Sequence, residues 1–135
     1  MNKKEAKVGV CIFAENMDTM VKFYRDTLGF HATWDYEDFA EFETASGYLS
    51  LFMYSKKAFA QAINENYVSQ KGTNLTFELA LWLPSYADVD VEYERLLKLG
   101  VQLLGEPKTP DHGVRSFFAI DPEGNLLEIG STNKS

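Results

Sequence analysis

Asp121-Pro122-Glu123-Gly124-Asn125-Leu126-Leu127-Glu128-Ile129-Gly130 decides the reading of this chain, because it joins a tight turn to an apolar strand that carries one acid. Pro122 fixes φ at the first corner, Gly124 supplies a left-handed position, and Leu126, Leu127 and Ile129 make the following run strand-like. A carboxylate inside such a run costs free energy unless it meets water, a partner, a metal or a ligand. The surroundings of Glu128 therefore bear on function, and Arg115 is one candidate partner for it.

Working back from this turn, the second half of the chain reads as strand, helix and three strands. Leu75 to Leu83 is an apolar strand closed by Pro84. Ser85-Tyr86-Ala87-Asp88 has the form of a capping box, opening a helix with Val89, Tyr93, Leu96 and Leu97 on one face and Gly100 as its stop. Strands over Val101 to Leu104, Val114 to Ile120 and Asn125 to Ile129 follow.

The first half has the same order. Val8 to Phe13 is a β-rich run, and Met17, Met20, Val21, Tyr24 and Leu28 recur at helical spacing before Gly29. Strands are predicted over Phe30 to Glu37, Phe39 to Thr44 and, after Ala45-Ser46-Gly47, Tyr48 to Tyr54. Two βαβββ modules, at about 7–55 and about 73–131, are thus joined by a connecting helix at about 56–71 carrying Phe59, Ile63 and Tyr67. Helix-stop Gly29 echoes Gly100, and the strand after Gly47 echoes the strand after Gly124, which sets Ser50 against Glu128. The expected fold is α+β: a single domain, 1–135, in which the two modules form a curled mixed sheet with helices on its outer face.

The chain has 135 residues, 45% of them hydrophobic, and a formal net charge of -7. That length suits one domain with a sizeable core. The negative charge argues against nucleic acid and anionic membranes as partners, which need clustered Lys and Arg, and favours a neutral or cationic small molecule. The one cysteine, Cys11, excludes an internal disulfide and points to a reducing, cytoplasmic location. The apolar stretch Val8 to Ala14 is too short for a membrane span and reads as a strand rather than a signal peptide.

Strand alternation sorts the candidates. Leu75, Phe77, Leu79, Leu81 and Leu83 share the face expected under the helices, leaving Thr76, Glu78, Ala80 and Trp82 on the other. By the same parity Gly9 and Cys11 oppose Val10 and Ile12, Ser50 and Phe52 oppose Leu51 and Met53, and Glu128 opposes Leu127 and Ile129. Cys11, Ser50, Phe52, Glu78, Trp82 and Glu128 are therefore expected to converge if the sheet curls, with acids among apolar walls. His112, in the loop Lys108-Thr109-Pro110-Asp111-His112-Gly113, and Arg115 beside that loop complete the ligand-binding set. Glu128, Glu78 and His112 are the candidates for acid–base catalysis. Without a base or cation beside it, Cys11 reads as an inert thiol.

Phe23-Tyr24-Arg25-Asp26-Thr27-Leu28-Gly29-Phe30 and the closing turn-strand Asp121 to Ile129 together resemble the vicinal oxygen chelate superfamily, which includes glyoxalase I, bleomycin resistance proteins and ring-cleaving dioxygenases. The resemblance spans residues 7 to 131. In metal-dependent members four strand side chains hold a divalent ion, and the resemblance carries those positions onto Gly9, Ser50, a residue near Glu78, and Glu128. Glycine has no side chain to coordinate with, and a catalytic site for a first-row metal normally uses three or more protein ligands. The expectation is thus metal-independent binding of a small cationic or aromatic molecule by a homodimer, with no cofactor. The alternative is a glyoxalase-like lyase or isomerase using a divalent ion at Glu78 and Glu128.

Overall fold

Strand β1, Val8–Ala14, and strand β4, Leu49–Ser55, run parallel, and β4 continues antiparallel to β3, Phe39–Phe42, which pairs with β2, Ala32–Trp34. The four make one mixed sheet in the order β1-β4-β3-β2. This computed structural model describes residues 8–44, 49–63, 74–109 and 113–135. The chain divides into two compact units, Met1–Ser69 and Gln70–Ser135.

Module 1 is held by its first helix. Asn16 caps α1, Met17–Lys22, by accepting from the Thr19 amide at 3.0 Å, and the helix continues as a π-helical turn over Phe23–Thr27. Within that turn the Leu28 amide reaches the Phe23 carbonyl at 2.9 Å, and Gly29 leaves it at φ +90, a left-handed value that favours glycine. Met20, Val21, Phe23 and Tyr24 are buried with Ile12, Ala14, Ala40, Phe42, Leu51 and Met53. One sheet face is therefore core, and Gly9, Cys11, Ser50 and Phe52 lie on the other, as alternation predicts.

Strand β2 ends earlier than the expected Phe30 to Glu37. The Asp35 carboxylate accepts from the amides of Glu37 at 2.7 Å and Phe39 at 3.2 Å, so the chain turns there, with Tyr36 at φ 63. At the end of β4, Ser55 donates to Asp38 at 2.6 Å and accepts from the Ala58 amide at 3.0 Å, opening α2, Lys56–Ile63. The rest of the expected connecting helix lies outside the described residues. Phe59 of α2 packs on Phe13 with ring centroids 4.4 Å apart.

Module 2 repeats the plan. Its sheet runs β5-β8-β7-β6, from Asn74–Trp82, Asn125–Ser131, Arg115–Ile120 and Gln102–Leu103. Ser85 caps α3, Tyr86–Lys98, accepting from the Asp88 amide at 3.3 Å and donating to the Asp88 carboxylate at 2.8 Å. Val89 and Leu96 of α3 are buried with Phe117, Ala119, Leu127 and Ile129. The turn before β8 is pinned by buried Asp121, whose carboxylate accepts from the Glu123 amide at 2.9 Å, the Asn125 amide at 3.0 Å and the Asn125 side chain at 2.8 Å. Phe77 departs from expectation: it is 59% exposed, on terminal strand β5 beside a register shift in the β5–β8 pairing between Asn74 and Glu78.

Candidate functional site

The expected site residues fall into two groups, one per module. In module 2, Leu127 and Ile129 turn toward α3, so alternation sends Leu126 and Glu128 to the opposite, open face with Ser116 and Phe118 of β7 and Glu78, Ala80 and Trp82 of β5. Ser116 donates its hydroxyl proton to Glu128 Oε2 at 3.1 Å. This partner was missed in the sequence, although the parity of β7 contains it: Phe117 and Ala119 are buried, and Ser116 must point the other way.

Arg115 lies with the α3 side. Its Nε and Nη2 donate to Asp90 of α3 at 2.9 and 2.7 Å, and its Nη1 to Thr109 at 2.9 Å. The conceivable Glu128–Arg115 ion pair is replaced by the Glu128–Ser116 hydrogen bond, and Arg115 instead ties the base of the loop to the helix. His112 lies outside the described residues.

Two glycines carry rings. Gly130 is opposite both Trp82 and Ser116, and a Cβ on it would come within 2.9 Å of the Ser116 Cβ, 3.0 Å of the Arg115 carbonyl oxygen and 3.2 Å of Trp82 Cζ3. The indole of Trp82 thus lies against bare backbone while remaining 57% exposed. In module 1, Gly9 stands opposite Ser50 and Cys11 opposite Phe52. Trp34, by contrast, is paired with Ala40 on the core side and stacks on Tyr36 at 4.6 Å, so it does not share the face of Phe52.

The electrostatics follow from exposure and neighbours. Loss of hydration, and then the nearby charge of Glu128, push the Glu78 carboxyl above its ordinary value. Burial likewise raises the Cys11 thiol, which stays protonated and weakly nucleophilic at neutral pH. A raised carboxyl binds its proton more tightly folded than unfolded. Glu78 therefore favours the fold most at pH below the unfolded value, and that contribution is lost as pH rises through the folded one. Glu78→Gln should flatten this dependence, with a melting temperature at neutral pH equal to or above that of the parent chain. Thermal melts across about pH 4 to 8 test the point, and a Glu78→Gln variant that melts distinctly lower at neutral pH contradicts it.

The residues do not fit a coordinated metal. Register places Ala80, not Glu78, opposite Glu128, just as Gly9 is opposite Ser50. The four positions carried over by resemblance then offer one hydroxyl and one carboxylate, the latter already accepting a hydrogen bond, with Glu78 offset along its strand. Among the described residues no group of three or more His, Cys, Asp or Glu is placed to hold an ion. A first-row metal site normally needs more donors than this.

Comparison with known proteins agrees with the two-module plan. A structure titled as a glyoxalase/bleomycin resistance protein/dioxygenase from Nocardioides superimposes with a TM-score of 0.78 at 21% identity, covering 93% of this chain and 82% of that one. A glyoxalase/bleomycin resistance protein/dioxygenase family enzyme from Burkholderia phytofirmans PsJN gives 0.79 at 20% identity, covering 94% and 99%. Lactoylglutathione lyase from Agrobacterium tumefaciens gives 0.72 at 19%, covering 94% and 93%. At these identities the likeness is one of fold. A sequence search of curated proteins returns no match. The model of the Glyoxalase/Bleomycin resistance protein/Dioxygenase superfamily matches residues 8–129, nearly the whole chain, and the protein belongs to that superfamily.

Proposed function

We propose that this superfamily member binds a small planar cation without a metal, and that the open face of module 2 supplies the acidic part of its site. The observation that carries this reading is the combination of Glu78 and Glu128 on one sheet face with the Trp82 indole, which is 57% exposed on its glycine. The carboxylates attract the charge, and an indole face adds about 0.5–2 kcal/mol for a cation seated over it. The donor set at the four carried-over positions supports this over the metal-dependent lyase alternative. The reading extends to a cytoplasmic homodimer: Cys11 is a free thiol, and Phe77 leaves apolar surface exposed on β5, the terminal strand of its sheet.

Titration of the full chain with planar cationic antibiotics should quench tryptophan fluorescence and raise the melting temperature. Saturation at about a hundred times Kd corresponds to about 2.7 kcal/mol of added stability. Several such compounds leaving both readouts unchanged would overturn the proposal. Glu128→Gln should keep or raise stability at neutral pH, because it removes a charge beside Glu78 and still accepts from Ser116, while weakening cation binding. A clear loss of stability in that variant would mark Glu128 as structural and remove it from the site.

A further inference from the structure

Tyr36 is held in a conformation that its residue type disfavours. It takes φ 63 in the turn between β2 and β3, and no other non-glycine among the described residues has a positive φ. A bulky side chain in the left-handed region is strained, and such strain persists only where the surroundings over-determine it. Here they do. The Asp35 carboxylate accepts from the Glu37 and Phe39 amides, the Asp35 amide donates to the Phe39 carbonyl at 3.1 Å, and Ser55 donates to Asp38. Glycine or asparagine would suit this backbone better, so the tyrosine ring has another role.

That ring stacks on Trp34, centroids 4.6 Å apart at an interplanar angle of 30°. Trp34 Nε1 is shut off from water without a hydrogen-bond partner, the one such buried side-chain atom among the described residues. An N–H buried unpaired costs free energy and calls for an explanation. Tyr36 itself is 74% exposed, so its ring can swing into water as exposed side chains do, while the turn beneath stays closed. Asp26 first, and Tyr36 after it, hold the Arg25 guanidinium above its ordinary value, which sets the Tyr36 hydroxyl beside that cation. We infer that Tyr36 is a gate over a small hydrogen-bonding site on the helix side of β2, in which Trp34 Nε1 donates to an uncharged oxygen acceptor such as an amide once the ring moves off. Charge decides the class of ligand: exposed Asp35 and Glu37 flank Tyr36 and disfavour an anion, while Arg25 disfavours a cation. The site lies within module 1 and takes a neutral ligand, so it stands independently of the small-cation reading.

The test follows the indole N–H resonances of the full chain by nuclear magnetic resonance, with Trp82→Phe identifying the signal of Trp34. In the parent chain the Trp34 indole proton should exchange with solvent faster than the core amides of β4, because a ring swing exposes it without unfolding. Tyr36→Gly, which suits the left-handed backbone and removes the cover, should speed that exchange about tenfold or more, as expected for a minor open state made dominant. Tyr36→Asn should do the same, and Tyr36→Phe, which keeps the stacked ring, should stay near the parent. N-methylacetamide, an uncharged amide, should shift the Trp34 indole resonance at about tenfold lower concentration in Tyr36→Gly than in the parent. Acetate and tetramethylammonium should leave that resonance in place. The gate is refuted if the parent indole proton exchanges no faster than the slowest β4 amides, or if Tyr36→Gly and Tyr36→Asn, both folded by circular dichroism, exchange it at the parent rate. The neutral-acceptor site is refuted if N-methylacetamide leaves the Trp34 resonance of Tyr36→Gly unmoved.

Discussion

Tyr24→Ala should destabilise the chain by about 3–5 kcal/mol, as truncation of a fully buried aromatic does when its neighbours cannot collapse into the space. Tyr24 is 0% exposed. Its ring meets Phe23 at 5.5 Å, Phe42 at 5.6 Å and Phe30 at 6.4 Å, so it joins the π-helical turn, the connection leading to β2 and β3 into one cluster. The Phe30 amide also donates to the Tyr24 carbonyl at 3.0 Å, closing the turn around the ring. Denaturant unfolding measures the loss. Tyr24→Phe, which keeps the ring, should lose far less, and equal losses in the two variants would show that the hydroxyl rather than the packing matters.

Gly130→Val should cost about 1–3 kcal/mol through overpacking, and it should also loosen Trp82. The added Cβ meets a backbone oxygen, the Arg115 carbonyl at 3.0 Å, and the Ser116 Cβ at 2.9 Å, neither of which is the free end of a flexible side chain. The remaining neighbour is the indole itself at 3.2 Å. Relief by moving Trp82 outward should therefore accompany the loss, visible as a red-shifted tryptophan emission. A variant as stable as the parent with unchanged emission would show that the sheet opens there at no cost.

Much of this fold is legible in the sequence because its signals are local. Gly29, Gly100 and Gly124 take the left-handed conformations that their places at helix stops and in a turn require. Ser85 and Asp88 form their expected cap, and parity alone separates Leu127 and Ile129 from Glu128. What parity cannot supply is register. It assigns a residue to a face without saying which residue on the next strand it meets. Glu78 was therefore expected at a position that pairing gives to Ala80, and the irregularity beside exposed Phe77 leaves no mark in the alternation of Leu75 to Leu83. The same limit hid the contacts of Phe52 with Gly9 and of Trp82 with Gly130, which exist only once the strands are aligned. Arg115 was assigned by its nearness to the loop. The partner that holds it, Asp90, is 25 residues away on α3.

Among the described residues this superfamily member lacks the donors for a first-row metal, and we propose that it binds its ligand through acids and aromatic rings on its sheet faces instead. Elemental analysis of the gently purified full chain, combined with thermal melts in nickel, zinc, cobalt and manganese, tests it most directly, since an ion that binds only the folded state must raise the melting temperature. The purified chain should carry no stoichiometric metal and show no shift with any of the four. A stoichiometric ion in the purified protein, together with a concentration-dependent rise in melting temperature, would contradict it.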